Sequence, residues 1–336
     1  MTPLPDGSDV IDVSVVVPVY RGALTVPALV AELAEHLVPR PTPDGLAYRV
    51  AEVVLVWDHG PDESDVVLRR LDAEFDWVRV VWLSRNFGQH PATVAGMAAS
   101  GSRWVVTMDE DGQHDPAEIP RMIDAAHRER AQLVYGAPSN PPGHGRLRNS
   151  ASRFTKRVVL PALSGKAFTA FHSYRLIAGD AARAVAAYAG PGVYLDIALG
   201  WVISDVTTIP VVSRVEGRAA QNYNIRGLLS HFWRLVLSSG NRPLRVVSLI
   251  GVLCAVGGLL YAAGLVVARL AGATEVEGWT STIVALLVIG GLMLISLGVI
   301  AEYVGLAASM SMGKPGFVVL GDPERTFAKT GSAPRR

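Results

Sequence analysis

The chain predicts an α/β domain over residues 1–224, an amphipathic helix at 225–241, a two-helix membrane hairpin at 242–305 and a tail at 306–336. Three observations predict this order. Val-rich apolar runs alternate with helical patterns as far as Gly136, the signature of a mostly parallel sheet flanked by helices. Two long uncharged stretches, 246–267 and 278–301, stand near the carboxyl terminus. A segment with one apolar helical face directly precedes them.

In the first part, Val10–Val17 reads as a strand and Ala23–Leu37 as a helix. Val50–Trp57, Val78–Leu83 and Arg103–Met108 repeat the strand pattern, followed by helices at Glu63–Glu74, Gln89–Ser100 and Pro116–Arg128. Ala131–Gly136 closes the series as a further parallel strand. Asp115-Pro116 reads as N-cap and N1 of the fourth helix. The Pro-rich stretches 39–43 and 138–142 read as loops.

In the second part, Ile225, Leu228, Leu229, Phe232, Leu235 and Val236 share a helical face, and Arg226 and Arg234 lie largely opposite, as in a helix lying in a headgroup layer. The two uncharged stretches are each long enough to span a hydrocarbon core at 1.5 Å per residue. Arg242 and Arg245 precede the first, and Lys314, Arg325, Lys329, Arg335 and Arg336 follow the second. By the positive-inside rule the α/β domain and both termini face the cytoplasm. Neither span holds an ionisable side chain, which argues against a transport pathway.

Composition agrees. The chain has 336 residues, 50% of them hydrophobic and 18% charged, with a formal net charge of +1, which gives no basic balance for nucleic acid. Its single cysteine, Cys254, excludes a disulfide framework and reads as a small packing residue. The amino terminus lacks the basic flank and apolar core of a signal peptide.

Ligands of parallel α/β sheets bind beyond the carboxyl ends of strands. Four such ends carry polar signals: Pro18-Val19-Tyr20, Asp58, Ser84-Arg85-Asn86, and the run Asp109, Glu110, Asp111 and Asp115. Like charges this close repel, so a positive partner is expected. Asp109 and Asp111 point the same way on an extended segment, and with Gln113 their hard oxygens suit Mg²⁺ or Mn²⁺. His59, His90 and His114 lack metal-ligand spacing and are expected to hydrogen-bond locally.

The segments SVVVPVY, LSRNFGQHPATVAG and MDEDGQHDPAEIP resemble glycosyltransferase family 2, within it the polyprenyl-phosphate glycosyltransferases. PLRVVSLIG, the apolar hairpin, AEYVGLAAS and KPGFVV resemble the bacterial undecaprenyl-phosphate branch. The resemblance implies a GT-A (Rossmann-like) nucleotide-sugar fold and an inverting transfer of sugar from a UDP- or GDP-linked donor to polyprenyl phosphate at the inner membrane. It implies that Pro18, Tyr20 and Asp58 line the nucleotide pocket with Arg85 and Asn86 near it. Asp109, Asp111 and Gln113 would hold metal and diphosphate, with Asp111 and Arg148 central to catalysis. Arg148, Arg146, Ser173 and Arg175 would surround the acceptor phosphate, and Arg214 and Arg218 are further basic candidates. A homo-oligomer formed through the membrane helices is also implied. Where relatives show D-D-G-S this chain has Trp57-Asp58-His59-Gly60, and segments 139–142 and 216–222 also depart. A scaffold that kept the fold and lost turnover is the competing expectation. Such a scaffold has no need of the retained aspartates.

Overall fold

A computed structural model describes residues 10–139, 171–214, 242–271 and 279–324. The elements run β1 (Ile11–Val19), α1 (Val26–Ala34), β2 (Arg40–Pro41), β3 (Ala47–Trp57), α2 (Ser64–Glu74), β4 (Val78–Leu83), α3 (Gln89–Ala99) and β5 (Trp104–Thr107). They continue with a 3₁₀ turn (Pro116–Glu118), α4 (Ile119–Glu129), β6 (Leu133–Pro138), β7 (Arg175–Ala178), α5 (Gly179–Tyr188), α6 (Leu195–Val202) and β8 (Val206–Val211). Two long helices, α7 (Arg242–Leu270) and α8 (Trp279–Ser311), and a short β9 (Val319–Leu320) complete the chain.

One sheet runs in the order β8-β6-β7-β5-β1-β3-β4-β9, with β2 beside β3. Strand β1 shows how sequence makes two cores from it. Val13, Val15, Val17 and Val19 pack on one face with Leu29, Leu33, Leu68, Met122 and Ile123 from α1, α2 and α4. Val16 faces the other way, toward Met97, Ala182, Val185 and Leu199 from α3, α5 and α6. This two-sided burial explains why the strands read as continuous valine runs rather than as an alternation.

The expected wholly parallel order holds for β1, β3, β4 and β5. It fails beyond β5, where β7 inserts antiparallel between β5 and β6. Strand β7 spans only Arg175–Ala178 and stands outside the alternating series read from the sequence.

Helices α7 and α8 carry apolar stretches at Val247–Ala268 and Val288–Ser311, with mean hydropathies of 2.3 and 1.9 and no burial within the protein. The first matches the expected 246–267. The second helix runs past the expected end at Ala301, through Glu302 to Ser311. A lone charge does not end a helix; a backbone signal does. Here Gly313 adopts φ 66°, its N–H donates to the Met310 carbonyl, and the Lys314 N–H donates to that of Ser309. That is a glycine-terminated Schellman end. Cys254 is exposed on α7 rather than packed within protein. The expected amphipathic helix at 225–241 lies outside the described residues.

Close packing of α3 on the sheet sets the height of its amino terminus above the strand ends. At Gly96 an added Cβ would lie 2.3 Å from Val16 Cγ1 and 2.9 Å from Val56 Cγ2. Both neighbours are stiff β-branched residues that cannot swing aside. Gly96→Ala is therefore expected to destabilise the chain by about 1–3 kcal/mol through overpacking. A thermal melt of the full chain in detergent checks this, with the midpoint falling by roughly 2–10 °C.

Candidate active site at the carboxyl ends of the parallel strands

The parallel strands β1, β3, β4 and β5 all point their carboxyl ends at one rim, and the acidic run begins two residues past β5. Asp109 is held from three directions. Its Oδ1 accepts from Gln89 Nε2 at 2.5 Å, at the first residue of α3. Its Oδ2 accepts from the Ser173 hydroxyl at 2.5 Å, just before β7. Its backbone N–H donates to His114 Nδ1 at 3.0 Å. His114 thus accepts at Nδ1, which leaves the proton of the neutral ring on Nε2, 3.9 Å from Asp109 Oδ2. Burial pushes the His114 pKa down, the Asp109 and Asp111 carboxylates pull it partly back, and the net shift is downward. The ring lies flat on Tyr174, with centroids 4.8 Å apart and planes at 12°.

Asp111 accepts from the Gln113 backbone N–H and from Gln113 Nε2, both at 3.0 Å. Gln113 therefore turns its amide nitrogen toward the carboxylate it was expected to join as a metal ligand. Glu110 reaches back to β1. Its carboxylate accepts from the backbone N–H groups of Tyr20 and Arg21 at 2.9 Å and bridges the acidic loop to the end of β1. Asp115 caps the 3₁₀ turn through the Ala117 N–H, as expected, and also meets Arg214 at 2.8 Å. Arg214 pairs with Glu32 as well and so ties the acidic loop to α1. Among the described residues Arg214 meets Asp115, and backbone or side-chain donors hold the other three.

Asp58 ends β3, is 3% exposed, and accepts from the backbone N–H groups of Phe87 and Gly88 at 2.7 and 2.9 Å. Burial pushes its pKa up; the two amides, His59 and Arg85 oppose this, and the net shift remains upward. Gly88 has φ 96°, a conformation that favours glycine. Gly60 meets another demand, since a Cβ there would stand 1.7 Å from the Tyr20 carbonyl oxygen. Tyr20 is half-exposed at the rim, whereas Pro18 is buried within β1. Arg85 lies 4.1 Å over the Phe87 ring, and Asn86 is exposed beside it. His59, at φ 54°, sits against the Trp57 ring at 4.4 Å. His90 sits against Tyr194 at 4.1 Å.

Arg175 departs most from expectation. It is 4% exposed and forms a two-pronged pair with Asp196, Nε to Oδ1 at 2.7 Å and Nη2 to Oδ2 at 2.8 Å. Its Nη1 donates to the Ser173 carbonyl at 3.1 Å. Tyr135 donates its hydroxyl to Asp196. Burial alone would lower the Arg175 pKa, but the Asp196 carboxylate more than reverses this and leaves it raised. A guanidinium so committed cannot serve an acceptor phosphate; it fixes Ser173, whose hydroxyl then holds Asp109. Ser173 itself stands at the acidic loop. Arg146, Arg148 and Arg218 lie outside the described residues.

Reading residues one segment at a time missed Gln89, the bridging Glu110 and Asp196. Asp196 did leave a signal, a lone carboxylate inside LDIALGWV, because a buried charge needs a partner. Removing one member of the pair, as in Asp196→Ala, is expected to cost about 3–5 kcal/mol. The double change Arg175→Met/Asp196→Leu is expected to cost less than the sum of its singles. A double-mutant cycle on thermal unfolding measures that coupling.

Comparison with known proteins gives two family matches and several named relatives. Residues 14–186, just over half the chain, match Glycosyl transferase family 2, and residues 242–306 match the GtrB C-terminal hairpin. The chain is 30% identical over 329 residues to an undecaprenyl-phosphate 4-deoxy-4-formamido-L-arabinose transferase of Pseudomonas aeruginosa, covering 96% of this chain and 92% of that one. It is 24% identical to a bactoprenol glucosyl transferase of Shigella phage SfV, covering 93% and 99%. A crystal structure of glucosyl-3-phosphoglycerate synthase from Mycobacterium tuberculosis, in complex with Mn²⁺, UDP and glucosyl-3-phosphoglycerate, aligns with a TM-score of 0.46 and 18% identity, covering 69% of this chain and 80% of that one. By the extent of the family match and by its 30% identity along nearly its whole length to a named transferase, the chain belongs to glycosyltransferase family 2.

Proposed function

We propose that this protein is a membrane-anchored, inverting glycosyltransferase that moves a sugar from a nucleotide diphosphate to polyprenyl phosphate. One observation carries the reading: the loop after α5 touches the membrane helix α8 and, through Tyr194 on His90, the start of α3 that holds Asp109. A Cβ at Gly190 would lie 3.3 Å from Met310 Cε, and one at Gly192 would lie 3.4 Å from Leu306 Cδ1. The loop after α5 thus rests against the carboxyl-terminal part of α8. The names of the relatives supply the acceptor class, a lipid phosphate. In the proposed topology the catalytic domain and both termini are cytoplasmic, as the positive residues outside the hairpin favour.

The donor is a UDP- or GDP-linked sugar. Tyr20 and Asp58 flank its nucleotide, with Arg85 and Asn86 at the rim. Among the described residues no group of three or more His, Cys, Asp or Glu forms a ready-made metal cage. Asp109 and Asp111 nevertheless fit Mg²⁺ or Mn²⁺, because such an ion is commonly held by one or two carboxylates together with substrate phosphates and water. Each oxygen of Asp109 accepts one side-chain hydrogen bond, and a carboxylate oxygen can take a second ligand. When bound, the ion neutralises charge on the departing diphosphate.

The chain's own residues supply the rest. Gln89, Ser173 and the Asp109 N–H bond to His114 hold Asp109 in one orientation, with Arg175 behind Ser173. Neutral His114 adds no charge to a loop already crowded with carboxylates. No general base is required, because a phosphate monoester with a second pKa of about 6 is already ionised near neutrality. The acceptor needs cations to hold it, and Arg146 and Arg148 are the proposed pair, with the forked geometry that suits phosphate. In-line attack by a phosphate oxygen on the anomeric carbon forms the new C–O bond as the bond to the diphosphate breaks, which inverts that carbon.

A transfer assay with membranes, radiolabelled nucleotide sugars, polyprenyl phosphate and Mg²⁺ or Mn²⁺ is expected to yield label in the organic phase. Asp111→Asn is expected to lower the rate by about a hundredfold or more, the several kcal/mol that metal charge stabilisation supplies. Nucleotide diphosphate with Mn²⁺ is expected to raise the thermal midpoint, reflecting about 2.7 kcal/mol at a hundred times Kd, and Asp109→Asn is expected to remove the metal-dependent part. No shift at millimolar ligand would favour a scaffold that kept only the fold.

A further inference from the structure

Beyond α8 the chain returns to the sheet. A Cβ at Gly316 would stand 3.4 Å from the Ala189 carbonyl oxygen. Phe317 packs against the core face that includes Leu83 and Phe87. The Ser84 N–H donates to the Val318 carbonyl at 2.9 Å. Strand β9 then pairs antiparallel with β4, Val319 beside Leu83 and Leu320 beside Trp82. Asp322 accepts from Arg69 Nε at 2.9 and 3.1 Å, with side chains only 18% and 10% exposed for Arg69 and Asp322. Arg69 also meets Asp65 at 2.9 Å and lies 5.1 Å over the Trp82 ring. Two ladder positions hold little by themselves, so the Arg69–Asp322 pair acts as the lock.

The strap borders the proposed donor site. Ser84 opens the segment whose Phe87 and Gly88 amides hold Asp58. The helix that follows presents Gln89 to Asp109. The strap's other end continues from the helix that abuts Gly190 and Gly192. It lies outside both family matches, which end at residues 186 and 306.

We infer that residues 316–322 form a positioning strap for nucleotide-sugar binding, locked by Arg69 and Asp322, that ties the end of the membrane helix to the segment 84–89 holding Asp58 and Asp109. The inference rests on the donor-site reading above. Arg69, Phe317 and Asp322 act through Ser84–Gln89 and are positioning residues. Loss of the lock loosens the wall that receives the nucleotide, so it weakens donor binding more than it slows turnover.

The test uses the full chain in nanodiscs as wild type, Asp322→Ala and Asp322→Glu. In hydrogen–deuterium exchange, Asp322→Ala is expected to speed exchange across 84–89 and leave α4 unchanged, with Asp322→Glu restoring protection. In the transfer assay, Asp322→Ala is expected to raise the donor KM roughly three- to tenfold with kcat nearly unchanged. Unchanged exchange at 84–89, exchange that rises across the whole domain, or an unchanged KM would each overturn the inference. If the wild type transfers no sugar, the glycosyltransferase reading fails, and Kd for UDP or GDP with Mn²⁺ replaces KM. A Kd raised in Asp322→Ala then supports the strap, one left unchanged overturns the strap alone, and no binding by the wild type overturns both.

Discussion

Four carboxylates at one strand end would drive each other apart if water were their only counterpart. Asp109, Glu110, Asp111 and Asp115 stay together because each is met by donors of its own. Asp109 takes donors from α3 and from the segment before β7, Glu110 takes the amides after β1, Asp111 takes Gln113, and Asp115 takes Arg214. Among the described residues most of these donors are neutral amides and hydroxyls, so hydrogen bonds hold the loop's geometry.

The same requirement organises the residues behind the loop. Ser173 can hold Asp109 only if its own backbone is fixed, and Arg175 fixes it. Arg175 can be buried only because Asp196 meets it with two hydrogen bonds, and Tyr135 occupies Asp196 further. A buried ion pair of this kind adds little net stability over an apolar packing, but its geometry is demanding. Here that geometry passes from α6 through β7 to the acidic loop. On the other flank Asp58 draws the 84–88 segment inward, so the site is braced from both sides.

The membrane part is joined to this frame at two places. The loop after α5 lies against Leu306 and Met310, and the segment beyond α8 crosses to β4 and α2. Both contacts lie near segments that brace the strand ends.

Sequence alone determined the α/β alternation, the acidic loop at the end of the fourth strand of that series, the cap at Asp115 and the two apolar helices. Each is a local property: a period, an uncharged length or a residue type at a known offset. Only the tertiary structure decided the direction of β7, the inward turn of Arg175, the donors on Asp109 and the return of the chain to β4. Those features join residues far apart in the chain, Ser173 and Asp109 separated by 64 positions, Tyr20 and Glu110 by 90, and Arg69 and Asp322 by 253. No local pattern carries such a pairing, because which donor meets a buried carboxylate is settled only when packing brings the two together and removes the water between them.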